Sequence, residues 1–489
     1  MAGSQKFDSI KFIQIIFLSA CLYFYFVLIY SNHIADYDLW GYLAFGRIFW
    51  EDGYFPYQDI FSYTPTKPLW VYHEWLTGVL FYPIYKNTGP AGLQLFRYVI
   101  IILTIYLIYL TALKKGAGPI SALLSLVPAM LLISFGYVPV RAQVFTYLFF
   151  ILTIYILESA NKDKKWTILW WLVPVIIFWC NLHGGFISGL GLIFLYALGE
   201  KISKRETLPY LKVGIISSIA TLVNPYGPYY WSYLVQAILM SRPEIDEWLS
   251  VMAALQIKYQ DFPIFVFIIL SAILIFALIL TKEKNLTDLL LIGITILLGY
   301  KSVRHTIFSG LIYGAFLPPM LTKAWSSWKE RKFFLTRPSW IPWISPLALL
   351  IFIYIWINPK MTLIAAPNFT ILTPSSHFPV GAIKWIKENN WRGNILPHFD
   401  WGEFLIWTCA PFCRVAMDGR YETIYKEEVC REYFDFLAGR ENWKIFLQKY
   451  PHDIVLIKAN TKTHLLMLQE PSWRLAYAEK ECVLFVRRK

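Results

Sequence analysis

The stretch from Ser31 to Trp75 reads SNHIADYDLWGYLAFGRIFWEDGYFPYQDIFSYTPTKPLWVYHEW, and it decides how the rest of the chain is arranged. It follows the first long apolar run directly and places ionisable side chains among aromatic rings. Carboxylates beside a bilayer are costly unless they are solvated or engaged with a partner. This segment, called here the acidic stretch, is therefore a candidate functional site. Its acidic residues, with the histidine that precedes Glu74, are Asp36, Asp38, Glu51, Asp52, Asp59, His73 and Glu74.

The composition is that of a membrane protein. The chain has 489 residues, of which 57% are hydrophobic and only 16% are charged, and its mean hydropathy is +0.47. Soluble domains carry roughly a quarter charged residues. The net charge of +13 does not indicate nucleic-acid binding, because the sequence has no basic patch with a recognition motif. The lysines and arginines instead lie in short loops between apolar runs, where they report topology.

Eleven apolar runs are long enough, or nearly so, to cross a bilayer, which takes about 17–25 residues in a helix. The first, residues 9–31, lacks the small-residue cleavage site of a signal peptide, so we expect a retained first helix. The pattern predicts a polytopic α-helical membrane protein with about eleven transmembrane helices. The other runs are at about 92–113, 118–136, 143–160, 166–182, 184–199, 209–223, 262–281, 285–299, 305–322 and 341–358.

Residues 74–88 are apolar but too short to span, and they begin with Glu74 and contain Pro83. We interpret them as an interfacial helix within a large first outer loop, residues 32–91. With this choice the basic loops fall mainly on one side, whereas counting 74–88 as a span makes them alternate between sides. The positive-inside rule then places the N-terminus in the cytoplasm and the acidic stretch on the outer face.

From Lys360 the composition changes to that of a soluble domain, with no run long enough to span. Short apolar pieces alternate with helical-looking stretches, which predicts a small α/β domain over residues 360–489 beside a membrane module over 1–359. Because this domain follows the eleventh span, we expect it to be extracytoplasmic as well. The predicted strands lie at 394–396, 414–417, 453–457 and 482–486, and the predicted helices at 379–390, 400–407, 425–437 and 441–449.

The acidic stretch contains two groups of residues with candidate chemistry. Asp36 and Asp38 lie two residues apart, and such a pair in a loop can hold a divalent cation, or one carboxylate can act as a base while the other sets its pKa. The alternative is a solvated helix cap. Asp59, and His73 with Glu74, lie among aromatic residues, and rings beside hydrogen-bonding groups suit sugar recognition. Aromatic residues also gather at membrane interfaces without any ligand.

Basic residues on the outer face, where the charge rule depletes them, form the second candidate set. Arg141, Lys301 and Arg304 fall there, and His183 and His305 lie close to predicted helix ends. Guanidinium and ammonium groups at this face can bind a phosphate or pyrophosphate, the arginines in bidentate geometry. The alternative is that they snorkel to lipid headgroups.

Other chemistries lack their motifs. The sequence has no Walker phosphate loop, no dinucleotide-binding glycine motif, no H-E-x-x-H and no G-x-S-x-G. A transporter or lipid flippase is expected to carry charges or broken helices near the membrane midplane, whereas the charges here lie at helix ends. A non-catalytic envelope-assembly protein would not require the acidic cluster. Both classes stay as alternatives to an enzyme.

A resemblance to a known superfamily centres on Asp38. The segment Asp38–Ala44, DLWGYLA, resembles the D-E-x-x-Y-x-x motif of the GT-C superfamily of membrane glycosyltransferases, in particular the bacterial protein-mannosyltransferase-like and aminoarabinose-transferase-like members. Asp38 matches the catalytic aspartate of that motif, and Tyr42 matches its aromatic residue. Leu39 replaces the glutamate of many members, so Asp36 is the candidate for the second acid. Two tail segments look like the accessory domain of uncharacterised bacterial members, Phe399–Phe404 and Asp418–Arg420.

The resemblance implies an enzyme of the bacterial inner membrane that takes a sugar from an undecaprenyl- or dolichyl-phosphate donor and passes it to a lipid, glycan or protein acceptor at the outer face. It implies Asp38 as the catalytic base, and Arg304 with Arg141 or Lys301 as the groups that stabilise the departing phosphate. Asp36 would orient the site or, with Asp38, hold a Mg²⁺ or Mn²⁺ ion. The expected substrate-binding residues are Asp59, His73, Glu74, Arg141, His183, Lys301, Arg304 and His305.

Overall fold

A computed structural model describes residues 33–488 apart from 138, 241, 243, 260, 282–283 and 330–367, together with residues 19, 22 and 23. The first predicted helix, 9–31, lies almost entirely outside the described residues. The eleventh predicted span, 341–358, lies entirely outside them. Both therefore stay predictions.

Helices dominate the described part of the membrane module, as the apolar runs predicted. In chain order they are α1 (Leu39–Arg47), α2 (Trp75–Lys114), α3 (Pro119–Tyr137), α4 (Gln143–Asp163), α5 (Leu172–Leu182), α6 (Phe186–Ile202), α7 (Leu208–Ala220), α8 (Tyr229–Leu239), α9 (Val251–Gln256), α10 (Asp261–Leu280), α11 (Leu286–Lys301) and α12 (Thr306–Lys329). Short 3-10 or π turns lie beside them at Ile48–Asp52, Trp166–Trp171, Asp246–Trp248 and Val303–His305.

Three of these helices are long and apolar enough to cross a membrane, namely Trp75–Lys114, Gln143–Asp163 and Phe262–Leu280. Three shorter apolar helices cover Pro119–Ser134, Trp166–Leu182 and Leu208–Ala220. The predicted membrane class agrees with this architecture. The count of eleven spans is not confirmed, because several predicted runs form helices shorter than a bilayer requires.

Helix α2 contains the segment that was predicted to be an interfacial helix. Its 40 residues would extend about 60 Å if straight, twice the thickness of a bilayer core. The helix is broken at Gly89, which has φ +63° and ψ −159°, and Pro90 follows it. Glycine takes this left-handed conformation without a Cβ penalty, and proline cannot continue the helical hydrogen bonding. Residues 75–88 therefore form a helical segment of their own, as expected.

The C-terminal domain is an α/β fold, as predicted. A five-stranded sheet has the order β2-β1-β3-β5-β4. Strands β2, β1 and β3 are parallel to one another, and β5 is antiparallel to both of its neighbours, β3 and β4. The strand β4 was not predicted, because of its residues only Trp473 is buried and the apolar pattern is weak. The strands are β1 (Gly393–Pro397), β2 (Cys413–Val415), β3 (Ile454–Lys458), β4 (Trp473–Ala478) and β5 (Cys482–Arg487). The helices are α13 (Val380–Glu388), α14 (Gly402–Cys409), α15 (Tyr421–Ile424), α16 (Glu427–Leu437), α17 (Trp443–Lys449) and α18 (Lys462–Leu468).

The acidic stretch is hydrogen-bonded to the C-terminal domain through its backbone. Tyr63 N–H donates to the Val415 carbonyl (3.2 Å), and Val415 N–H donates to the Phe61 carbonyl (3.0 Å), so the stretch lies along the free edge of β2. A second bridge joins Ala35 N–H to the Leu372 carbonyl at 2.8 Å. The membrane module and the C-terminal domain are therefore joined by backbone hydrogen bonds through the acidic stretch. These contacts place the acidic stretch and the C-terminal domain on the same side of the protein, and the predicted extracytoplasmic location of that side stays a prediction.

Candidate active site

A polar cavity of about 390 Å³ lies where the acidic stretch meets the C-terminal domain and two loops of the membrane module. Carboxylic acids outnumber arginines in its wall by eight to four. Charged side chains of both signs are thus concentrated in one place, whereas most of the chain avoids charge. The acids are Asp36, Asp38, Glu74, Asp246, Glu247, Asp400, Glu403 and Glu422, and the arginines are Arg141, Arg242, Arg304 and Arg420.

Arg141 is the cation nearest to the aspartate pair. Its Nη2 donates to Asp38 Oδ2 at 2.9 Å, and its Nε lies 3.5 Å from Asp36 Oδ1. Its Nη1 lies 3.5 Å from Glu247 Oε2. Asp38 is the N-cap of α1, and Arg141 lies two residues before the start of α4. Glu247 comes from the Asp246–Trp248 turn. A single guanidinium therefore faces three carboxylates.

Arg304 is the second cation at this end of the cavity. Its Nη1 lies 3.0 Å from Glu247 Oε1, and its guanidinium lies 4.4 Å from the centre of the Trp248 ring. It comes from the turn between α11 and α12. Glu247 thus bridges Arg141 and Arg304. Asp38, Arg141 and Arg304, which were predicted to act as the base and as the phosphate-stabilising groups, thus lie in one cavity.

Burial and the neighbouring arginines have opposite effects on the pKa values of these acids. Burial raises the pKa of Asp36 to about 7, against the opposing effect of Arg141. Burial also raises the pKa of Asp38, again against Arg141. Burial acts on Glu247 as well, but Arg304 and Arg141 outweigh it and hold its pKa below the usual value. At neutral pH Glu247 is therefore ionised, while the Asp36–Asp38 pair holds a proton part of the time.

A second group of side chains in the cavity wall, Glu74, His73 and His183, is uncharged at neutral pH. Glu74 Oε1 lies 3.6 Å from His73 Nε2 and 3.5 Å from His183 Nε2. Burial raises the pKa of Glu74 to about 8 and lowers the pKa of His73 to about 3, and it holds the pKa of His183 well below the usual value. These separations exceed hydrogen-bond length, and both partners are neutral, so the contacts are not ion pairs. The buried side-chain oxygen of Gln143, which also belongs to the cavity wall, has no hydrogen-bond partner among the described residues.

Three residues predicted to bind substrate lie outside the cavity wall. Asp59 is buried against Arg420, with its Oδ1 2.5 Å from Nη1, and serves as a structural ion pair. Lys301 is exposed at the end of α11 and is not part of the cavity wall. His305 is directed into packing against Trp248 and Phe308. The expected direct contact with substrate is therefore not supported for these three.

Sequence reasoning missed most of the C-terminal contribution. Glu403, Arg420 and Glu422 reach the cavity from α14 and α15 and the turn before it. Glu247, which lies in the Asp246–Trp248 turn, also belongs to the cavity wall and was not among the predicted site residues. The segments Phe399–Phe404 and Asp418–Arg420 had been noted for their resemblance. Nothing in their sequence shows that they lie beside residues more than 300 positions earlier.

The aspartate pair does not fit a divalent cation in this arrangement. Both carboxylates face the Arg141 guanidinium, which occupies the place of a positive charge between them. No group of three or more His, Cys, Asp or Glu side chains with metal-binding geometry occurs in the part of the chain that the structure describes. The proposed mechanism therefore uses no metal ion.

Comparison with known proteins shows a likeness at the level of the fold. No protein-family model matches the sequence, and no curated protein matches it. The fold is similar to the crystal structure of ArnT from Cupriavidus metallidurans bound to undecaprenyl phosphate, with a TM-score of 0.49 and 12% sequence identity over 96% of this chain and 97% of that chain. Identity this low transfers neither activity nor residue roles.

Proposed function

We propose that the protein transfers a sugar from a polyprenyl-phosphate donor to an acceptor hydroxyl at the outer face of the bacterial inner membrane. The acceptor is a lipid, a glycan or a protein. The observation that carries the proposal is the joint placement of Asp38, Arg141 and Arg304 in one polar cavity. Glycosyl transfer from a lipid phosphate requires a base for the acceptor hydroxyl and positive charge for the departing phosphate. Here a carboxylate that can accept a proton lies beside two guanidinium groups that can bind a phosphate.

The proposed reaction is a displacement at the anomeric carbon. Asp38 takes the proton from the acceptor hydroxyl, whose oxygen forms the new bond to that carbon. The bond from the same carbon to the phosphate oxygen breaks, and its electron pair leaves with the polyprenyl phosphate. Arg304 and Arg141 stabilise the negative charge that develops on the phosphate. Glu247 holds the two arginines apart and orients both.

Uncharged polar side chains in the cavity wall support a sugar as the transferred group. Glu74, His73, His183 and Gln143 offer hydrogen-bond donors and acceptors without fixed charge. Sugar hydroxyls need paired donors and acceptors, and a buried polar group left unpaired is costly. We propose that these side chains hold the sugar while Arg304 and Arg141 hold its phosphate.

The charge placement favours an enzyme over the two alternatives. A transporter or flippase is expected to place its ionisable residues near the membrane midplane, whereas here they gather beneath an α/β domain that contributes several of them. An assembly protein requires no carboxylate beside two arginines. Comparison of envelope glycans and glycoproteins by mass spectrometry, with and without the gene, tests the proposal. Loss of one sugar modification is expected, and identical profiles would contradict it.

Replacing Arg304 with alanine should mainly weaken donor binding. Hydrogen bonds to charged groups contribute about 1.5–3 kcal/mol, so we expect the KM for the lipid-phosphate donor to rise roughly 10- to 100-fold. Steady-state kinetics with the donor identified by the glycan comparison measures this. Lys301→Ala is the matched control, because Lys301 is exposed and only three residues away. An unchanged donor KM in Arg304→Ala would remove Arg304 from the phosphate site.

The rate should depend on pH through the Asp36–Asp38 pair. A carboxylate must be ionised to accept a proton, and a raised pKa means that ionisation is lost at higher pH than usual. We therefore expect kcat/KM to fall with decreasing pH at a pH above about 4, the value for an ordinary carboxyl group, because burial raises the pKa of Asp38. Asp36→Asn should move this fall to lower pH, because it removes a neighbouring carboxylate that competes with Asp38 for Arg141. A fall near pH 4 in the wild type would refute the assignment.

A further inference from the structure

The start of α1 has an unusual capping arrangement. An aspartate at the N-cap normally accepts a hydrogen bond from the second or third backbone N–H of its own helix. Asp38 occupies the N-cap of α1, but its side chain makes no such bond. Its carboxylate points instead to Arg141. Other groups must then satisfy the backbone donors at this helix end.

Glu403 supplies the missing acceptor from the C-terminal domain. Gly41 N–H donates to Glu403 Oε2 at 3.1 Å and shares this hydrogen with the Asp38 carbonyl. Gly41 is the third residue of the helix, whose N–H an N-cap aspartate would normally bind. On the preceding turn, Asp38 N–H donates to Asp36 Oδ1 at 3.1 Å. Glu403 thus takes the capping bond that the Asp38 side chain would otherwise accept, while Asp36 accepts from the N–H of the N-cap residue itself.

The fit between Glu403 and the helix is close. A Cβ at residue 41 would overlap the Glu403 carboxyl group, so a larger residue there would displace that carboxyl group. The other oxygen, Glu403 Oε1, lies 2.7 Å from where a Cβ on Gly419 would stand, and Asp38 Oδ1 lies 3.2 Å from the same point. Glu403 therefore contacts the helix start on one side and lies beside the Asp38 carboxylate on the other.

We propose that Glu403 is a positioning residue, which caps α1 in place of Asp38 and so leaves the Asp38 carboxylate free to act as the base. The capping role does not depend on the proposed function, and only the effect on Asp38 as the base rests on it. Burial, with Asp38 and Asp418 nearby, raises the pKa of Glu403 well above its usual range. As a neutral acid Glu403 accepts from Gly41 through one oxygen and can donate toward Asp38 through the other. The C-terminal domain is thereby part of the catalytic site.

Hydrogen exchange of the full-length protein tests the capping role without any substrate. Loss of an N-cap acceptor should make the amides of Leu39–Tyr42 exchange about 2- to 30-fold faster in Glu403→Ala. Glu403→Gln should exchange within about twofold of wild type, because glutamine keeps an acceptor for Gly41 and a donor for Asp38. Glu427→Ala, an exposed acid of the same domain, is the matched control. Unchanged exchange in Glu403→Ala would overturn the proposal.

The second readout is the gene-dependent glycan product. Glu403→Ala should form it roughly 10- to 100-fold more slowly, because a displaced base costs on this order, and Glu403→Gln should restore the rate. Failure of Glu403→Gln to restore both readouts would count against a neutral capping acid. If exchange behaves as expected but Asp38→Asn keeps full turnover, the capping role stands and the catalytic roles of both residues fall.

Discussion

Replacing Asp38 with asparagine should lower kcat by about 100- to 10,000-fold, the usual contribution of a positioned general base. Asparagine keeps the size of the side chain and an oxygen that can accept from Arg141, but it cannot take the acceptor proton. The Asp38 side chain is 31% exposed, so the substitution leaves no buried cavity. Turnover of purified protein with the lipid-phosphate donor measures the effect, and thermal unfolding shows that the fold is kept.

Asp52→Asn is the control for this experiment. Asp52 belongs to the same acidic stretch but is exposed and outside the cavity wall. It should keep wild-type turnover, since its side chain is exposed and lies outside the cavity wall. Near-normal turnover in Asp38→Asn would remove Asp38 from the role of base, whatever the behaviour of the control.

Replacing Arg420 with methionine should cause the largest loss of stability. Arg420 donates to Asp418 through Nε (2.8 Å) and Nη2 (2.6 Å) and to Asp59 through Nη1 (2.5 Å). The three side chains are at most 2% exposed. Methionine would leave two buried carboxylates without their cation, and breaking a buried pair in this way costs about 3–5 kcal/mol.

The loss should appear first where the acidic stretch joins the C-terminal domain. We expect a lower thermal midpoint and faster proteolysis near Asp59 in detergent-solubilised Arg420→Met. Arg440→Met is the matched control, because Arg440 is 52% exposed and its pair with Asp435 contributes at most about 1 kcal/mol. Equal stability of the two variants would show that the buried ion pair does not hold the interface together.

The elements of the fold were largely predictable from local pattern. Apolar runs marked the helices of the membrane module, and short apolar pieces marked four of the five strands of the tail. The break at Gly89 was foreseeable because a short apolar run met Gly89-Pro90 before the next one. The edge strand β4 was missed, because only one of its side chains is buried and its pattern carries little signal.

The candidate site was predictable only in part. Asp38, Arg141 and Arg304 stood out because charge is rare on the outer face. Asp59 seemed equally promising, since it lies in the same stretch and among similar aromatic residues. Its burial against Arg420, a residue 361 positions away, gives it a different role. Glu403 gave no sign of its position beside Gly41.

The sequence by itself determined the class of protein and the residues most worth attention, and it predicted an outer-face location for the acidic stretch and the tail. These follow from hydrophobic run lengths and from the distribution of lysine and arginine, which are properties of the linear chain. Only the tertiary structure decided which acid faces the arginines of the cavity, which is half of a buried ion pair and which caps a helix. Capping bonds and ion pairs act over a few ångströms, and the partners here lie roughly 100 to 360 residues apart in the chain. The cap from Glu403 frees Asp38 only because folding brings the tail against the start of α1.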